Sequence, residues 1–272
     1  MRFISLIILF LCGASLSAAS ETPWVDHDGM LATRLITASQ DYTTSDGALF
    51  AWEAKLAPGW KTYWRSPGEA GLPVRLFVEG GEVPPMYPFP ERFELFGIET
   101  YGYSHQLILP FRTKLQPPGA LAVKVDFMVC KDICVPFEYL YEIPKAGIAP
   151  QVSLHDIRFD AWLRKVPAVN GDGGAGLEIM AVKVAGKVGH QRLIVDVRAA
   201  TDLSKADMLA EVNDMFHFGA PKVRLLQDGK KARFVLPAMT GNMPEELRGN
   251  KVRLTFSNGR GAAIDRTIQL DD

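Results

Sequence analysis

Short segments of strand-like pattern recur along nearly the whole chain and constrain its fold more than any other feature. In each of them apolar residues alternate with polar ones, or run together between Gly and Pro residues, as is typical of β-strands. The predicted strands are residues 48–56, 74–78, 106–115 and 121–129 in the first half and 177–184, 192–197, 223–226, 232–236 and 251–256 in the second. We therefore expect an all-β protein made of antiparallel sheets.

One segment between the two series predicts a helix instead. Residues 154–166 follow Ser153, a residue type that favours the N-cap position, and Asp156 lies three residues beyond it, as in a capping box. We expect this helix to bridge two domains, at residues 20–148 and 149–272. The apolar positions expected on it are Ile157, Ala161 and Val166.

The two halves also look like diverged copies of one unit. Residues 106–110 are similar to 233–237, and residues 123–127 are similar to 252–256. An internal repeat of this kind predicts that both halves have the same architecture. Continuing the second match without a gap aligns Cys130 with Gly259 and Cys134 with Ala263, so only the first copy carries thiols.

The N-terminus has the pattern of a secretory signal peptide over residues 1–19. A positive start at Arg2 precedes an apolar run over 3–11, and small residues follow at 17–20. The run is shorter than the roughly 20 residues that a transmembrane helix needs. Cys12 would leave with this segment. We therefore expect a soluble, exported protein, most plausibly in a bacterial periplasm, with no membrane span after cleavage.

The charge balance excludes two classes of partner. The chain has 30 basic and 31 acidic residues and a formal net charge of −1. A nearly neutral chain has no electrostatic basis for binding nucleic acid or acidic lipid surfaces. We expect its partners to be recognised by shape.

Cys130 and Cys134 are the only cysteines left after signal removal, and three residues separate them. They follow a predicted strand and precede Pro136, which marks a turn or a strand edge because proline cannot donate to a sheet ladder. A turn of this length can bring two cysteines close enough for a disulfide. Such a short loop gains little stability from a crosslink, which favours a disulfide that opens and closes over a structural staple.

Other interpretations of the pair remain open. A structural staple is common in exported proteins. A zinc site is disfavoured because the five histidines show no paired spacing around the cysteines. Copper(I) accepts soft thiolate ligands and is more compatible with the pair than zinc.

Three segments in order give the first half a specific resemblance. They are residues 60–73, with Trp60, Tyr63 and Trp64; residues 91–103; and residues 129–136, with both cysteines. In these segments the chain resembles the N-terminal periplasmic domain of the thiol:disulfide interchange protein DsbD, particularly the ScsB (suppressor of copper sensitivity) type. The resemblance covers about residues 30–145, and the second half is similar to the second immunoglobulin-like unit of ScsB-type proteins.

This resemblance implies two immunoglobulin-like β-sandwich domains, joined by the short helical linker, with a redox-active disulfide at one edge of the first. Cys134 would be the attacking sulfur and Cys130 the resolving one. A cap loop would shield them, with Tyr63 facing the same pocket. The cap-loop residues implied are Glu94, Leu95, Phe96 and Gly97. The family usually has an aromatic residue where this chain has Leu95 and an acid where it has Phe93, so proton handling by the cap differs here.

The implied function is thiol-disulfide exchange with thioredoxin-fold periplasmic proteins, with no cofactor and no metal. Full-length transporters of the family add a multi-helix membrane domain and a thioredoxin-like domain, which this sequence lacks. We therefore expect a separate membrane electron-transfer protein as a second partner.

The alternative function is a non-catalytic binding module that binds copper(I), or docks onto a redox partner, in copper tolerance. Thioether and imidazole groups keep this hypothesis open. The candidate residues are Met128, Met208, Met215, His217, Met239 and Met243. Methionine is also a common core residue, so packing is the competing explanation. A hydrolase is disfavoured because no nucleophile motif is visible.

Overall fold

The structure is a computed structural model of the chain. It describes residues 20–95, 97–114, 120–144, 148–213, 216–226, 228–240 and 244–271, with only the backbone of Leu95. Almost all regular elements in these ranges are antiparallel strands, which confirms the predicted all-β class.

The described residues of the first half form eleven strands and a short 3₁₀ turn at Gln40–Tyr42. The strands are β1 Val25–His27, β2 Leu31–Thr37, β3 Ala48–Leu56, β4 Lys61–Gly68, β5 Arg75–Val78, β6 Gly81–Val83, β7 Glu91–Leu95, β8 Ile98–Ser104, β9 Gln106–Thr113, β10 Leu121–Cys130 and β11 Cys134–Ile143. They form a four-stranded sheet in the order β1-β2-β3-β9 and a seven-stranded sheet in the order β6-β5-β10-β4-β8-β7, in which β11 also pairs with β10.

The two sheets of the first half enclose one hydrophobic core. Trp52 of the smaller sheet packs against Phe127 of the larger one, with ring centroids 5.0 Å apart. Strand β10 shows why these residues form a sandwich, because its side chains alternate between buried and half-buried positions along the strand. Its buried side chains as far as Val129 face the core, whereas Cys130 and the half-buried side chains lie on the other face of the sheet.

The second half contains one helix and the remaining strands. These elements are α1 Asp156–Leu163, β12 Glu178–Ala185, β13 Arg192–Arg198, β14 Asp207–Glu211, β15 His217–Phe218, β16 Lys222–Leu226, β17 Lys231–Met239, β18 Lys251–Ser257 and β19 Ala263–Gln269. One sheet has the order β12-β13-β17-β15, with β16 also on β17, and the other has the order β14-β18-β19. Phe234 and Phe256 meet in the core between them.

The connectivity of the two halves agrees with the predicted repeat. The ladder β2-β3-β9 of the first half corresponds to β12-β13-β17 of the second, and the hairpin β10–β11 corresponds to β18–β19. The similar segments 106–110 and 233–237 lie in β9 and β17, while 123–127 and 252–256 lie in β10 and β18.

The linker helix exists, but it is shorter than predicted and the predicted capping box is wrong. Helix α1 begins at Asp156, and its N-cap residue His155 makes no side-chain cap. Ser153 Oγ instead donates to Thr37 O at 2.7 Å, and Asp156 Oδ1 accepts the Ser39 N–H at 2.9 Å. Ser153 Oγ also accepts the local His155 N–H at 3.2 Å, but Asp156 binds Ser39 of the first half, so the reciprocal half of the box is not formed.

The buried face of α1 also differs from the prediction. Ile157 is 76% exposed, whereas Phe159 is fully buried against the outer face of the four-stranded sheet. The helix is therefore fixed to the first half through Phe159. Within the described ranges, no helix has the length and apolarity needed to cross a membrane.

Candidate functional site

The Cys130–Cys134 disulfide closes the β10–β11 hairpin. The two residues form the last cross-strand pair of the ladder and are joined by a disulfide, with their α-carbons 4.1 Å apart. The three-residue turn between them is held by the Lys131 N–H, which donates to Ile133 O at 3.1 Å. The predicted disulfide is therefore confirmed.

The two cysteines differ sharply in exposure. Cys130 is only 1% exposed, whereas Cys134 is exposed. The difference follows from the positions of their strands. Cys130 ends β10, which lies between β4 and β11, and it pairs with Lys61 of β4. Cys134 begins β11, which pairs with β10 alone among the described strands. Among the described residues, Cys134 is therefore the more accessible member of the pair.

Tyr63 lies directly beside the disulfide. Its hydroxyl oxygen is 3.6 Å from Cys134 Sγ, and its buried ring packs with Cys130 and Met128 in a small cluster of its own. The next residue, Trp64, points to the opposite face of the sheet and into the sandwich core. Burial raises the pKa of the Tyr63 phenol, so the phenol stays neutral and can donate a hydrogen bond.

Gly71 determines how closely the chain approaches Tyr63. Its backbone has φ +107°, which disfavours other residue types, and a Cβ placed there would lie 2.3 Å from the Tyr63 ring. The loop before β5 can therefore cover the ring only because residue 71 is glycine. The sequence contains this glycine within a segment of family resemblance, but nothing in the sequence alone indicates its contact.

The predicted cap loop is the turn of the β7–β8 hairpin. Leu95 pairs with Ile98, exposed Glu94 pairs with Glu99, and Gly97 has φ +82° in the turn. Phe96 lies outside the described residues, as does the Leu95 side chain. Shielding of the sulfurs by Leu95 and Phe96 therefore stays a prediction.

The strand register relates the hairpin to the disulfide. Cys130 pairs with Lys61, and Lys61 pairs with Ser104 of β8, so the hairpin turn lies several residues further along the sheet. The register of β4 against β8 shifts between Tyr63 and Gly68, where β4 has more residues than β8.

Lys61 was not singled out from the sequence, although it lies two residues before Tyr63 on the same strand. Its ammonium nitrogen lies 4.4 Å from the centroid of the Phe93 ring of β7. The contact is a cation–π interaction at the position where the family usually has an acid. It links β7 to the strand position opposite Cys130.

An apolar groove borders the exposed end of the site. It has a volume of about 390 Å³ and is lined by residues of the β4–β5 loop, β5, β10 and β11. These residues are Leu72, Pro73, Arg75, Asp126, Phe127, Pro136, Phe137 and Glu138. Pro136 lies two residues after Cys134 on β11, so the groove adjoins the cysteine hairpin.

The candidate copper ligands do not converge. Met208 is buried in the second core, and His217 pairs with Met239 in the second half, away from the cysteines. Met215 and Met243 lie outside the described residues. Across the described ranges, no group of three or more His, Cys, Asp or Glu residues could hold a metal ion. Of the candidates that the structure describes, Met128 alone adjoins the cysteine pair, through the cluster with Tyr63.

Comparison with known proteins agrees with this architecture. Residues 32–144 match the family model of the N-terminal domain of the thiol:disulfide interchange protein DsbD, and residues 165–270 match a domain of unknown function (DUF8393). A search of curated proteins found no match. Residues 32–144 therefore form a DsbD N-terminal-like domain.

In its overall fold the chain is similar to an ScsB domain. It matches the crystal structure of the N-terminal periplasmic domain of ScsB from Proteus mirabilis with a TM-score of 0.75 and 20% sequence identity. The match covers 93% of this chain and 99% of that one. The expected immunoglobulin-like β-sandwich fold is thereby confirmed.

Proposed function

We propose that this chain is a periplasmic thiol-disulfide exchange protein that passes electrons between a membrane reductase and thioredoxin-fold partners. The observation that carries the proposal is the unequal exposure of the two bonded cysteines, with Cys134 at the surface and Cys130 buried. Exchange needs one reachable sulfur and a second that resolves the mixed disulfide. The DsbD N-terminal-like domain supports this reaction class.

The exchange proceeds in two displacements. The Cys134 thiolate attacks one sulfur of the partner's disulfide, and the other partner sulfur leaves as a thiolate. The Cys130 thiolate then attacks Cys134 Sγ, which releases the second partner thiolate and forms the Cys130–Cys134 disulfide. Two electrons pass to the partner, whose thiolates take up protons. A separate membrane electron-transfer protein returns this chain to the dithiol form.

The neighbouring residues have auxiliary roles in this proposal. The neutral Tyr63 hydroxyl donates to Cys134 Sγ when that sulfur is a thiolate. The cap loop from Glu94 to Gly97, including Leu95 and Phe96, moves aside when a partner binds. The proposed chain organisation is a signal peptide at residues 1–19, the redox domain at 20–148 and a second domain at 149–272.

The cysteine assignment is tested by trapping. Cys130→Ser and Cys134→Ser variants of the mature chain are mixed with a thioredoxin that has one active-site cysteine, activated with 5-thio-2-nitrobenzoate. We expect Cys130→Ser to form a stable adduct that dithiothreitol releases, and Cys134→Ser to form none. The opposite pattern would reverse the assignment, and no adduct with either variant would refute exchange.

The reduction potential of the wild-type pair provides an independent test. A value of roughly −120 to −270 mV would support exchange, whereas a value well below about −300 mV would indicate a structural disulfide. The potential is measured in glutathione or dithiothreitol buffers by counting alkylated thiols.

A second candidate function is copper(I) binding by the reduced pair. The observation that favours it is Met128, a thioether packed in the same cluster as Cys130. Titration of the reduced protein with copper(I) against a competing chelator distinguishes the two functions. Tight binding without adduct formation in the trapping experiment would favour copper(I) binding.

A further inference from the structure

The second half packs against the first mainly through its smaller sheet, β14-β18-β19. Leu209 of β14 is buried in the hydrophobic core of the first half. Arg65 of β4 donates to Glu211 Oε1 of β14 at 2.6 Å and to Thr255 Oγ1 of β18 at 2.7 Å. The larger sheet, made of β12, β13, β17 and β16, lies across the second core from these contacts. Its outer face therefore points away from the first half, and we call it the distal face.

The strand register determines which side chains the distal face presents. Along β13 and β17 the side chains alternate between core positions and exposed or half-buried positions. Ile194 is one of the outward positions of β13, and it pairs with Lys183 of β12 and with Val235 of β17. Val235 in turn pairs with Lys222 of the edge strand β16. The same face therefore extends across all four strands.

Cations outnumber acids on the distal face. Two of the cations are paired, Arg233 with Asp196 and Arg198 with Glu178. Arg224 lies directly opposite Arg233 on the neighbouring strand, where like charges repel each other. Within the described ranges, five cations of this face form neither an ion pair nor a side-chain hydrogen bond: Lys183, Arg192, Lys222, Arg224 and Lys231. The distal face thus has a clear excess of positive charge.

The charge balance of the whole chain conceals this excess. Residues 20–148 contain 11 basic and 16 acidic residues, whereas residues 149–272 contain 18 basic and 15 acidic ones. The turn between β16 and β17 adds Asp228 and Lys230, whose charges offset each other. The nearly neutral net charge disfavoured binding to acidic lipid surfaces, but that conclusion does not apply to the distal face.

The edge strand β16 combines its cations with exposed apolar side chains. Val223 is 42% exposed and Leu225 is 44% exposed, and they alternate with Lys222 and Arg224 along the strand. Segments that lie on a membrane surface have this combination, because apolar side chains enter the headgroup region while cations contact the phosphates. Protein interfaces are instead rich in aromatic side chains and poor in lysine, and the described residues of the distal face include no aromatic side chain. The composition therefore favours lipid over an acidic protein.

We propose that the distal face binds the surface of a membrane that contains anionic phospholipids. Each Lys or Arg near such a surface strengthens binding about fivefold, and the attraction falls off within a Debye length of about 10 Å at 0.1 M salt. The contact is therefore reversible and sensitive to salt. It holds the chain at a membrane without a spanning segment and leaves the first half, on the other side, accessible to partners. The proposal does not depend on thiol-disulfide exchange.

The test measures co-sedimentation of the full mature chain with lipid vesicles. Vesicles of phosphatidylcholine that contain one third phosphatidylglycerol are compared with vesicles of phosphatidylcholine alone. We expect the wild type to bind only the acidic vesicles and to be released by added sodium chloride. The double variant Lys222→Gln, Arg224→Gln should bind the acidic vesicles roughly 25-fold more weakly, since each cation contributes about fivefold. Both side chains are exposed and unpaired, so the variant should keep the wild-type melting temperature.

A matched control removes the same charge elsewhere. Lys114 follows β9 in the first half and Lys251 begins β18 in the smaller sheet, and both are exposed. We expect the double variant Lys114→Gln, Lys251→Gln to bind acidic vesicles like the wild type. If it binds as weakly as Lys222→Gln, Arg224→Gln, then net charge and not the distal face causes binding, and the proposal is overturned. Equal binding of the wild type to both kinds of vesicle would overturn it as well.

Hydrogen exchange locates the contact without any substitution. We expect acidic vesicles to slow amide exchange in residues 222–226 and not in residues 91–104. Slowing in the first half alone would overturn the proposal. The competing occupant is an acidic protein, for which immobilised polyglutamate is the probe. A wild type that ignores acidic vesicles but is retained by polyglutamate through Lys222 and Arg224 would assign the face to an acidic protein and overturn the lipid assignment.

Discussion

A substitution of Glu53 tests the contacts that hold helix α1 against the first half. Its side chain is fully buried in the four-stranded sheet, where it accepts hydrogen bonds from Arg34 Nε at 2.9 Å and Gln106 Nε2 at 3.0 Å. Arg158 of helix α1 also binds it, with one donor at 3.1 Å. The substitution Glu53→Gln removes the charge that holds two guanidinium groups.

The structure gives the size of the expected effect. Removing one partner of a buried ion pair costs about 3–5 kcal/mol, and Gln should lie at the lower end because its amide oxygen still accepts a hydrogen bond. A domain of this size loses about 2–4 °C of melting temperature per kcal/mol. We therefore expect Glu53→Gln to lower the melting temperature of the first half by roughly 6–12 °C.

Differential scanning calorimetry measures this change, and Glu82→Gln is the matched control. Glu82 forms a bidentate pair with Arg75, but both side chains are half exposed. Exposed pairs contribute little, so the control should unfold near the wild-type temperature. A Glu53→Gln transition within about 2 °C of the control would refute the reasoning, because that interval corresponds to less than about 1 kcal/mol.

Two further outcomes follow from the same contacts and from the Tyr63 pocket. Burial raises the pKa of Glu53, but hydrogen bonds from Arg158 and Arg34 outweigh it and hold the pKa below the ordinary 4.5. The stability that Glu53 contributes is thus present above pH 4.5 and lost as the pH falls through its lowered pKa. Between pH 7 and pH 3, the melting temperature of wild type should fall more steeply than that of Glu53→Gln. Parallel curves of melting temperature against pH would contradict this. Gly71→Ala should displace the Tyr63 ring, lower the melting temperature and speed disulfide reduction. Gly80→Ala is the control, because Gly80 also has a positive φ of +81° but a Cβ there meets nothing within 4 Å, so its effects should be smaller. Equal effects of the two alanine substitutions would show that only backbone strain matters.

Sequence reasoning predicted well the strands whose own apolar pattern is clear, whether they lie inside a sheet or at its edge. Strand β3 has the predicted bounds, and β10 extends the prediction by one residue. The missed strands include the inner strands β2, β4 and β8 and the edge strands β7 and β11. Strand β11 contains Pro136 and polar residues, and β7 is short and highly charged, so neither has a strong apolar pattern. Their pairing depends on a neighbouring strand and not on their own composition.

Only part of the site could be predicted from the sequence. The spacing of Cys130 and Cys134 indicated their disulfide, but their unequal exposure depends on which hairpin strand lies at the sheet edge. The unpaired cations of the distal face come from four different strands, β12, β13, β16 and β17. Each of them looks like an ordinary surface charge by itself, so no local pattern could have placed them on one face.

The β18–β19 hairpin, which corresponds to the cysteine hairpin, shows that the turn can close without a disulfide. In the second half, the turn between β18 and β19 is closed without thiols, because Asn258 Oδ1 accepts the N–H groups of Arg260 and Ala262 at 2.9 and 3.1 Å. A hairpin at this place in the fold can therefore form through hydrogen bonds alone. A crosslink over so short a loop stabilises the protein by only about 2 kcal/mol in the chain-entropy model. Opening the Cys130–Cys134 bond would then leave the sandwich folded, as a protein that alternates between dithiol and disulfide forms requires.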